Sequence, residues 1–456
     1  MNHARLTFCG GTGSVTGANF LLEAAGLKIL VDCGLVQGSR FAEEENRKPF
    51  PYDPGLIDYL LVTHAHIDHI GRIPRLVAAG FKGKIYSTPE TRALAPLMFT
   101  DALRLMAEEA GESGTAPLYN EKDVSSALAS WHDAPYHQAL ELAPEASVYP
   151  KDAGHILGSA MYEITFPAYS SARKIVFTGD LGNSPTPILR DTEKIVDADY
   201  LVMESVYGDR NHENREARRA RLKDVITEAA ARKGALVIPT FSLEKTQVLL
   251  YELHTLEESH EIPTLPVFLD SPLAIEVTKV YEKMRQDFND KALAEEAHGD
   301  IFRFPRLKFT PRPDESKEIL NTAAPKIILA GSGMSNGGRV LHHERNYLPG
   351  PENTLLLVGF QAAGTLGRQI QDGAKEVMIE GAHVPVRAHV ETISGYSSHK
   401  DTDHLVEFVE HTAEKLKKVF VVMGEPKSSM FLAQRLRDYL GVEAVHPALG
   451  DGFILG

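Results

Sequence analysis

The chain has 456 residues, 43% of them hydrophobic and 24% charged, which gives enough core for more than one globular domain. No apolar run reaches the roughly 18–20 residues that span a bilayer, and the first eight residues are too short and strand-like for a signal peptide, so a cytoplasmic setting is expected. The net charge of −14 argues against a ligand held mainly by phosphate neutralisation and leaves metal ions, local cations and oriented N–H groups to attract any polyanion.

Residues 5–9, 19–23 and 28–32 are short apolar runs parted by Gly and Asp, which predicts strands meeting in hairpins. Two cysteines, Cys9 and Cys33, make no disulfide framework and fit a reducing compartment. Gly11-Thr12-Gly13-Ser14-Val15-Thr16-Gly17 superficially matches a dinucleotide loop, but a strand follows where that fingerprint requires a helix, so it reads as a hairpin loop. Residues 58–63 then read as a buried strand that breaks into His64-Ala65-His66-Ile67-Asp68-His69. Three imidazoles and a carboxylate within six residues are zinc-type ligands, and a strand-to-loop junction can aim them at one point.

Residues 89–128 carry helical spacing of Leu, Ala and Met, and strands return near 147–149, 161–166 and 174–178. His155 sits between glycines in Gly154-His155-Ile156-Leu157-Gly158-Ser159, just before one of those strands. Asp180 ends another, as Asp32 does earlier in Val31-Asp32-Cys33-Gly34. A lone Asp at a strand end is ordinarily a turn or cap; beside the histidine cluster each becomes a candidate ligand.

The style changes near residue 208. A charged helix (213–232), a strand (234–239), a helix (244–256) and strands at 267–270, 326–330 and 354–358 predict a parallel α/β domain. Metal-type residues lie on both sides of this block, so it reads as an insertion. Its two basic stretches, 215–223 and 306–312, read as solvated faces. The loop from Gly331 to Arg339 follows a strand and precedes a helix, where N–H groups can cradle a phosphate or simply form a turn; Ser332, Ser335 and Arg339 are its candidate substrate contacts.

Taken together, Asp32, His64, His66, Asp68, His69, His155 and Asp180 resemble the metal site of the metallo-β-lactamase fold, an αββα sandwich with its metals at the sheet edges. Met203-Glu204-Ser205-Val206-Tyr207-Gly208 and Gly395-Tyr396-Ser397-Ser398-His399 are similar to β-CASP motifs, as are Asp270-Ser271-Pro272-Leu273-Ala274 and the Gly331 loop. The chain thus resembles, over nearly its whole length, the short prokaryotic β-CASP ribonucleases related to the endonuclease subunit of the cleavage and polyadenylation specificity factor.

The resemblance implies a metallo-β-lactamase domain in residues 1–207 and 393–456, an inserted β-CASP domain in 208–392, and no further domain before or after. It implies hydrolysis of RNA phosphodiester bonds by a zinc-activated water. His64, His66 and His155 would hold one zinc, Asp68 and His69 a second, with Asp180 bridging; Mn2+ is an alternative ion. Asp32 would fix a ligand histidine, and Glu204 would orient His399, which would donate a proton to the leaving 3′-oxygen or share in metal-side catalysis. Single-stranded RNA is the expected partner, no membrane is, and a homodimer is compatible with the sequence without being derivable from it.

One position departs from the pattern. Where the family ends a late strand in His-Gly-Glu, this chain has Met423-Gly424-Glu425. A thioether is a poor zinc donor, so the second site is expected to be weakened and Met423 to pack at the strand end. Nothing in the sequence places His383 or His404 as a replacement. A non-catalytic RNA-binding scaffold and a hydrolase of another ester remain the alternatives; retained Glu204 and His399 argue against the first, and the inserted domain against the second.

Overall fold

The computed structural model describes residues 4–38, 41–168, 171–213, 215–359, 361–362 and 364–456. They divide into two compact units, one of residues 1–186, 190–211 and 399–456, the other of residues 187–189 and 212–398. Among the described residues no helix is long and apolar enough to cross a membrane.

The first unit is built on two seven-stranded sheets. One runs in the order Gly452–Leu455, Ala4–Phe8, Phe20–Ala24, Leu27–Val31, Tyr59–Leu61, Lys84–Ser87 and Trp131–Asp133. The other runs Ala444–Val445, Lys418–Val421, Tyr200–Met203, Arg173–Phe177, Ala160–Phe166, Ala146–Asp152 and Leu140–Ala143. Their inner faces share one core, in which Leu6, Phe8, Phe20 and Ile29 meet Tyr162, Ile164, Phe177 and Phe420. Alternation along the strands sends the other residues outward into two helical layers. Ile73 and Phe99 cover the first sheet with Trp131, and Leu405, Leu432 and Leu436 cover the second with Val419. That is an αββα sandwich. The glycine loop after Phe8 joins two antiparallel strands, and both cysteines are free and buried.

The helical stretch expected at 89–128 is two helices, Pro89–Ser113 and Glu121–Ala129. Asn120 ends the ambiguity, because its side chain accepts from the N–H groups of Lys122 and Asp123 and Asp123 answers it in a capping box.

The second unit holds a six-stranded, wholly parallel sheet in the order Leu307–Phe309, Val267–Asp270, Lys326–Ala330, Ala235–Pro239, Thr354–Val358 and His389–Ile393. Its central strands are apolar on both faces, as helices on each side require. The basic stretch at 215–223 keeps Arg219, Arg221 and Lys223 partly exposed in ion pairs, and departs from a solvated face at Arg218. On the helix Arg215–Ala231, Arg218 is buried and donates to Glu252 at 2.6 Å, while Arg219 and Lys223 bind Glu261 and Arg221 binds Glu391. Charge alone could not reveal this, since the carboxylates lie 34 to 170 positions away in sequence.

Candidate metal centre

The chemistry-bearing residues follow the carboxyl ends of parallel strands. Leu27–Val31 pairs in parallel with Tyr59–Leu61, and Arg173–Phe177, Tyr200–Met203 and Lys418–Val421 do the same in the other sheet. Parallel strands end side by side, so Asp32, His64, Asp180, Glu204 and Met423 leave the sheets on one edge.

The loops are pressed together there. A Cβ on Gly34 would lie 1.5 Å from the Asp68 carbonyl oxygen, and one on Gly182 would lie 1.8 Å from that of Gly154. Only glycine allows the Asp32 loop to lie on the histidine motif, and the Asp180 loop on the His155 loop.

Asp32 organises the histidines. Its carboxylate accepts from the Thr63 N–H and hydroxyl, both at 2.8 Å, and from His69 Nδ1 at 2.7 Å. A carboxylate here is acceptor only, so His69 carries its proton on Nδ1 and turns Nε2 toward Asp180. The Thr63 hydroxyl has given its hydrogen to Asp32 and so accepts from His64 Nδ1 at 3.0 Å, which frees His64 Nε2 as a lone-pair donor. His155 is aimed by its loop: its N–H donates to Ser159 Oγ at 2.9 Å. Thr88 and Thr91 hydroxyls both donate to the Gly158 carbonyl, at 2.6 and 2.8 Å, and tie that loop to the start of the helix Pro89–Ser113.

His64, His66, His155 and Asp180 bring one ligand atom each to within 4.8 Å of the others. His64 Nε2 and His66 Nδ1 are 3.0 Å apart, and His66 Nδ1 and His155 Nε2 3.3 Å. A tetrahedral ion with nitrogens at 2.0–2.1 Å sets its ligands about 3.3–3.4 Å apart, so the residues fit zinc. Burial pulls the pKa of all three imidazoles down, well down for His66 and His155, which favours the neutral, ligating form.

On the other side of Asp180 lies His69, with Nε2 3.4 Å from Asp180 Oδ1 and 3.9 Å from Asp68 Oδ2. Among the described residues His69 Nε2 and Asp180 Oδ1 are buried without a hydrogen-bond partner, and they face one another as two ligands of one cation would. Burial opposes the His69 imidazolium, but the charges of Asp180, Asp32 and Asp68 outweigh it and raise its pKa well above the usual range. Burial also opposes the Asp180 carboxylate, and His69 and His64 overturn that effect and hold it well below. Asp68 is pushed up by burial.

A second group, Asp180, Glu204 and His399, adjoins the first. Glu204 accepts from the Leu181 N–H at 2.6 Å and holds His399 Nδ1 at 3.2 Å from both carboxylate oxygens. Burial lowers the His399 imidazolium and Glu204 more than restores it, to about 9. His399 Nδ1 is also 3.9 Å from Asp180 Oδ2.

Met423 completes the edge differently. Its N–H donates to the Gly11 carbonyl at 2.7 Å, and its side chain, 2% exposed, joins the core between the sheets. It lines a cavity of about 10 Å³ together with Asp32, Thr63, His69 and Glu204, room for about one water. His404 pairs with Asp401, and His383 pairs with Glu376 in the second unit; neither is among the clustered ligands.

Thus the structure brings Asp32, His64, His66, Asp68, His69, His155, Asp180, Glu204 and His399 together. It does not leave Ser335 and Arg339 open for substrate. In the second unit the Ser335 hydroxyl is buried against Glu344, and Arg339 donates to Asp270 at 2.7 Å and to the Thr310 and Pro311 carbonyls. Ser332 Oγ accepts from the Asn336 N–H at 3.3 Å. Thr63, Thr88, Thr91 and Ser159 escaped the sequence reading, and only the residue before His64 carried any signal, by adjacency.

Comparison with known proteins gives three domain matches: a metallo-beta-lactamase superfamily domain over residues 14–230, a Beta-Casp domain over 246–370, and a Zn-dependent metallo-hydrolase RNA specificity domain over 383–447. Ribonuclease TTHA0252 of Thermus thermophilus is 34% identical over 449 residues, 98% of this chain and 99% of that protein. Transcription termination factor FttA of Methanosarcina mazei is 31% identical over 96% of this chain and 70% of its own length. The crystal structure of a protein of unknown function from Enterococcus faecalis superposes with a TM-score of 0.59 over 100% of both chains at 13% identity, a likeness of fold.

Proposed function

The chain belongs to the β-CASP family of the metallo-β-lactamase superfamily, and from that membership we propose that it is a metal-dependent ribonuclease acting on single-stranded RNA. The observation that carries this reading is the convergence of three neutral imidazoles and Asp180 beside the Glu204–His399 pair. His64, His66, His155 and Asp180 would hold a first ion, and Asp180, Asp68 and His69 a second. A bound zinc supplies Lewis acidity toward a phosphoryl oxygen and makes water a competent nucleophile near neutral pH.

The chain's own residues do the rest. Asp32 and Thr63 hold His69 and His64 in the ligating tautomers. Water would add to phosphorus as the bond to the 3′-oxygen breaks, and His399, held beside Glu204, would give that oxygen its proton. Glu204 orients the ring and balances its charge. With Met423 in place of a donor, Asp68, His69 and Asp180 would hold a second ion with fewer protein ligands than the pattern provides, and it would exchange more readily than the first.

The test is end-labelled single-stranded RNA incubated with zinc- or manganese-supplemented protein, with products mapped by length. Cleavage is expected from the wild type and lost in Asp68→Ala, and His399→Ala is expected to slow it about 10²- to 10⁴-fold. A wild type as inert on RNA as Asp68→Ala overturns the reading in favour of a scaffold or a hydrolase of another ester.

A further inference from the structure

The second unit holds a cation that the metal centre does not use. Its sheet changes direction at Ala235–Pro239 and Thr354–Val358, which lie side by side. The chain leaves the first through the helix Lys245–Glu258 toward Val267–Asp270 on one side, and leaves the second toward His389–Ile393 on the other. Diverging connections open a crevice at the carboxyl ends of such strands, where α/β sheets bind ligands.

Lys245 lies at the carboxyl ends of these two strands. Its ammonium sits 4.9 Å over the ring of Phe241, just past the first strand, and against Gly359, just past the second, where a Cβ would come within 2.4 Å of Nζ. Arg218, Arg219, Arg221, Lys223 and Arg339 of this unit each have a carboxylate; Lys245 has no acceptor among the described residues. Burial alone, with no opposing charge, pulls its pKa down to about 8. Retaining a partly buried ammonium that no described carboxylate faces costs stability, which an incoming anion would offset. Beside it Phe241 packs one part of its ring against Gly333 and remains 37% exposed.

We propose that this crevice is a nucleotide subsite, in which the Lys245 ammonium takes a backbone phosphate of single-stranded RNA and the Phe241 ring stacks on a base. Cation and aromatic ring together are the usual platform for a single strand, tolerant of sequence because every base has a π-face. In an acidic chain such a local cation can serve where net charge cannot.

The inference rests on the ribonuclease reading, and anisotropy titration of a labelled single-stranded oligoribonucleotide separates the two. The full-length Asp68→Ala protein serves as parent so that the strand stays uncut, and thermal melts accompany each variant. Lys245→Gln in that parent should weaken binding and make its salt dependence shallower by about 0.7 in the log–log slope, with Lys245→Arg restoring the slope. Phe241→Ala, at an exposed position, should weaken binding about 5- to 150-fold with the slope kept, and Phe241→Trp should restore it. Parent-like affinity and slope in both Lys245→Gln and Phe241→Ala overturn the subsite while leaving the ribonuclease reading standing. A parent and wild type that bind no RNA overturn both.

Discussion

Met423 shows how one side chain can alter a metal centre without disturbing its frame. The residue has a left-handed φ of 47°, its N–H holds Gly11, and its thioether fills core space between the sheets. It shares a cavity wall with His69 and Glu204, so an imidazole there would start from the same strand end and reach toward the same edge. Met423→His should therefore raise zinc stoichiometry, measured by elemental analysis after dialysis, from near one equivalent toward two. Unchanged stoichiometry refutes the loss of a ligand as the cause of weak second-site binding. His64, His66, Asp68 and His69 were legible because six consecutive residues carry them. Thr63 was not, since its role as acceptor from His64 follows only from its bond to Asp32, 31 positions away.

Among the elements, strand direction does most to build the site, because parallel strands deliver their ends to one edge. Helix starts then fix the loops. Thr88 caps Pro89–Ser113 by accepting from the Thr91 N–H at 3.2 Å and also donates to Gly158, in the loop that carries His155. Thr88→Ala should cost about 1–2 kcal/mol in urea unfolding and speed zinc loss to a chelator; a destabilised variant with wild-type zinc retention would show that the loop holds His155 unaided. The helices and apolar strands were readable from periodicity, which depends on neighbours in sequence. The break between Ser113 and Asn120 and the ion pairs of Arg215–Ala231 were not, because a cap and distant carboxylates decided them.

For the whole molecule, buried carboxyls set a pH dependence. Burial lifts Glu244 and Glu344 to about 8 and Asp152 to about 7, from 4.5, 4.5 and 3.8. Each is protonated in the fold at a pH where the unfolded chain has released its proton. The stability they contribute is complete below the unfolded values and is lost as pH rises through about 7 to about 8. Lys245, held down to about 8, adds no slope below that pH. Calorimetric Tm should thus fall between about pH 7 and about pH 8, above the range in which the lowered imidazoles of His64, His66 and His155 act in the opposite sense, and Glu244→Gln should fall less steeply; equal slopes would remove Glu244 as a cause.

By itself the sequence determined the elements, the parallel character of the inserted sheet and most of the metal-type residues. All of these depend on spacing within a few residues. Only the tertiary structure decided the partnerships: Asp32 with His69 across 37 positions, Thr88 with Gly158 across 70, and Glu204 with His399 across 195. It also decided that Arg339 and Ser335 are held inside their own unit while Lys245 meets no counter-charge among the described residues. The reason is physical. Which side chains meet at a sheet edge is set by strand order and by how closely backbones can approach, and neither quantity is written in any short stretch of chain.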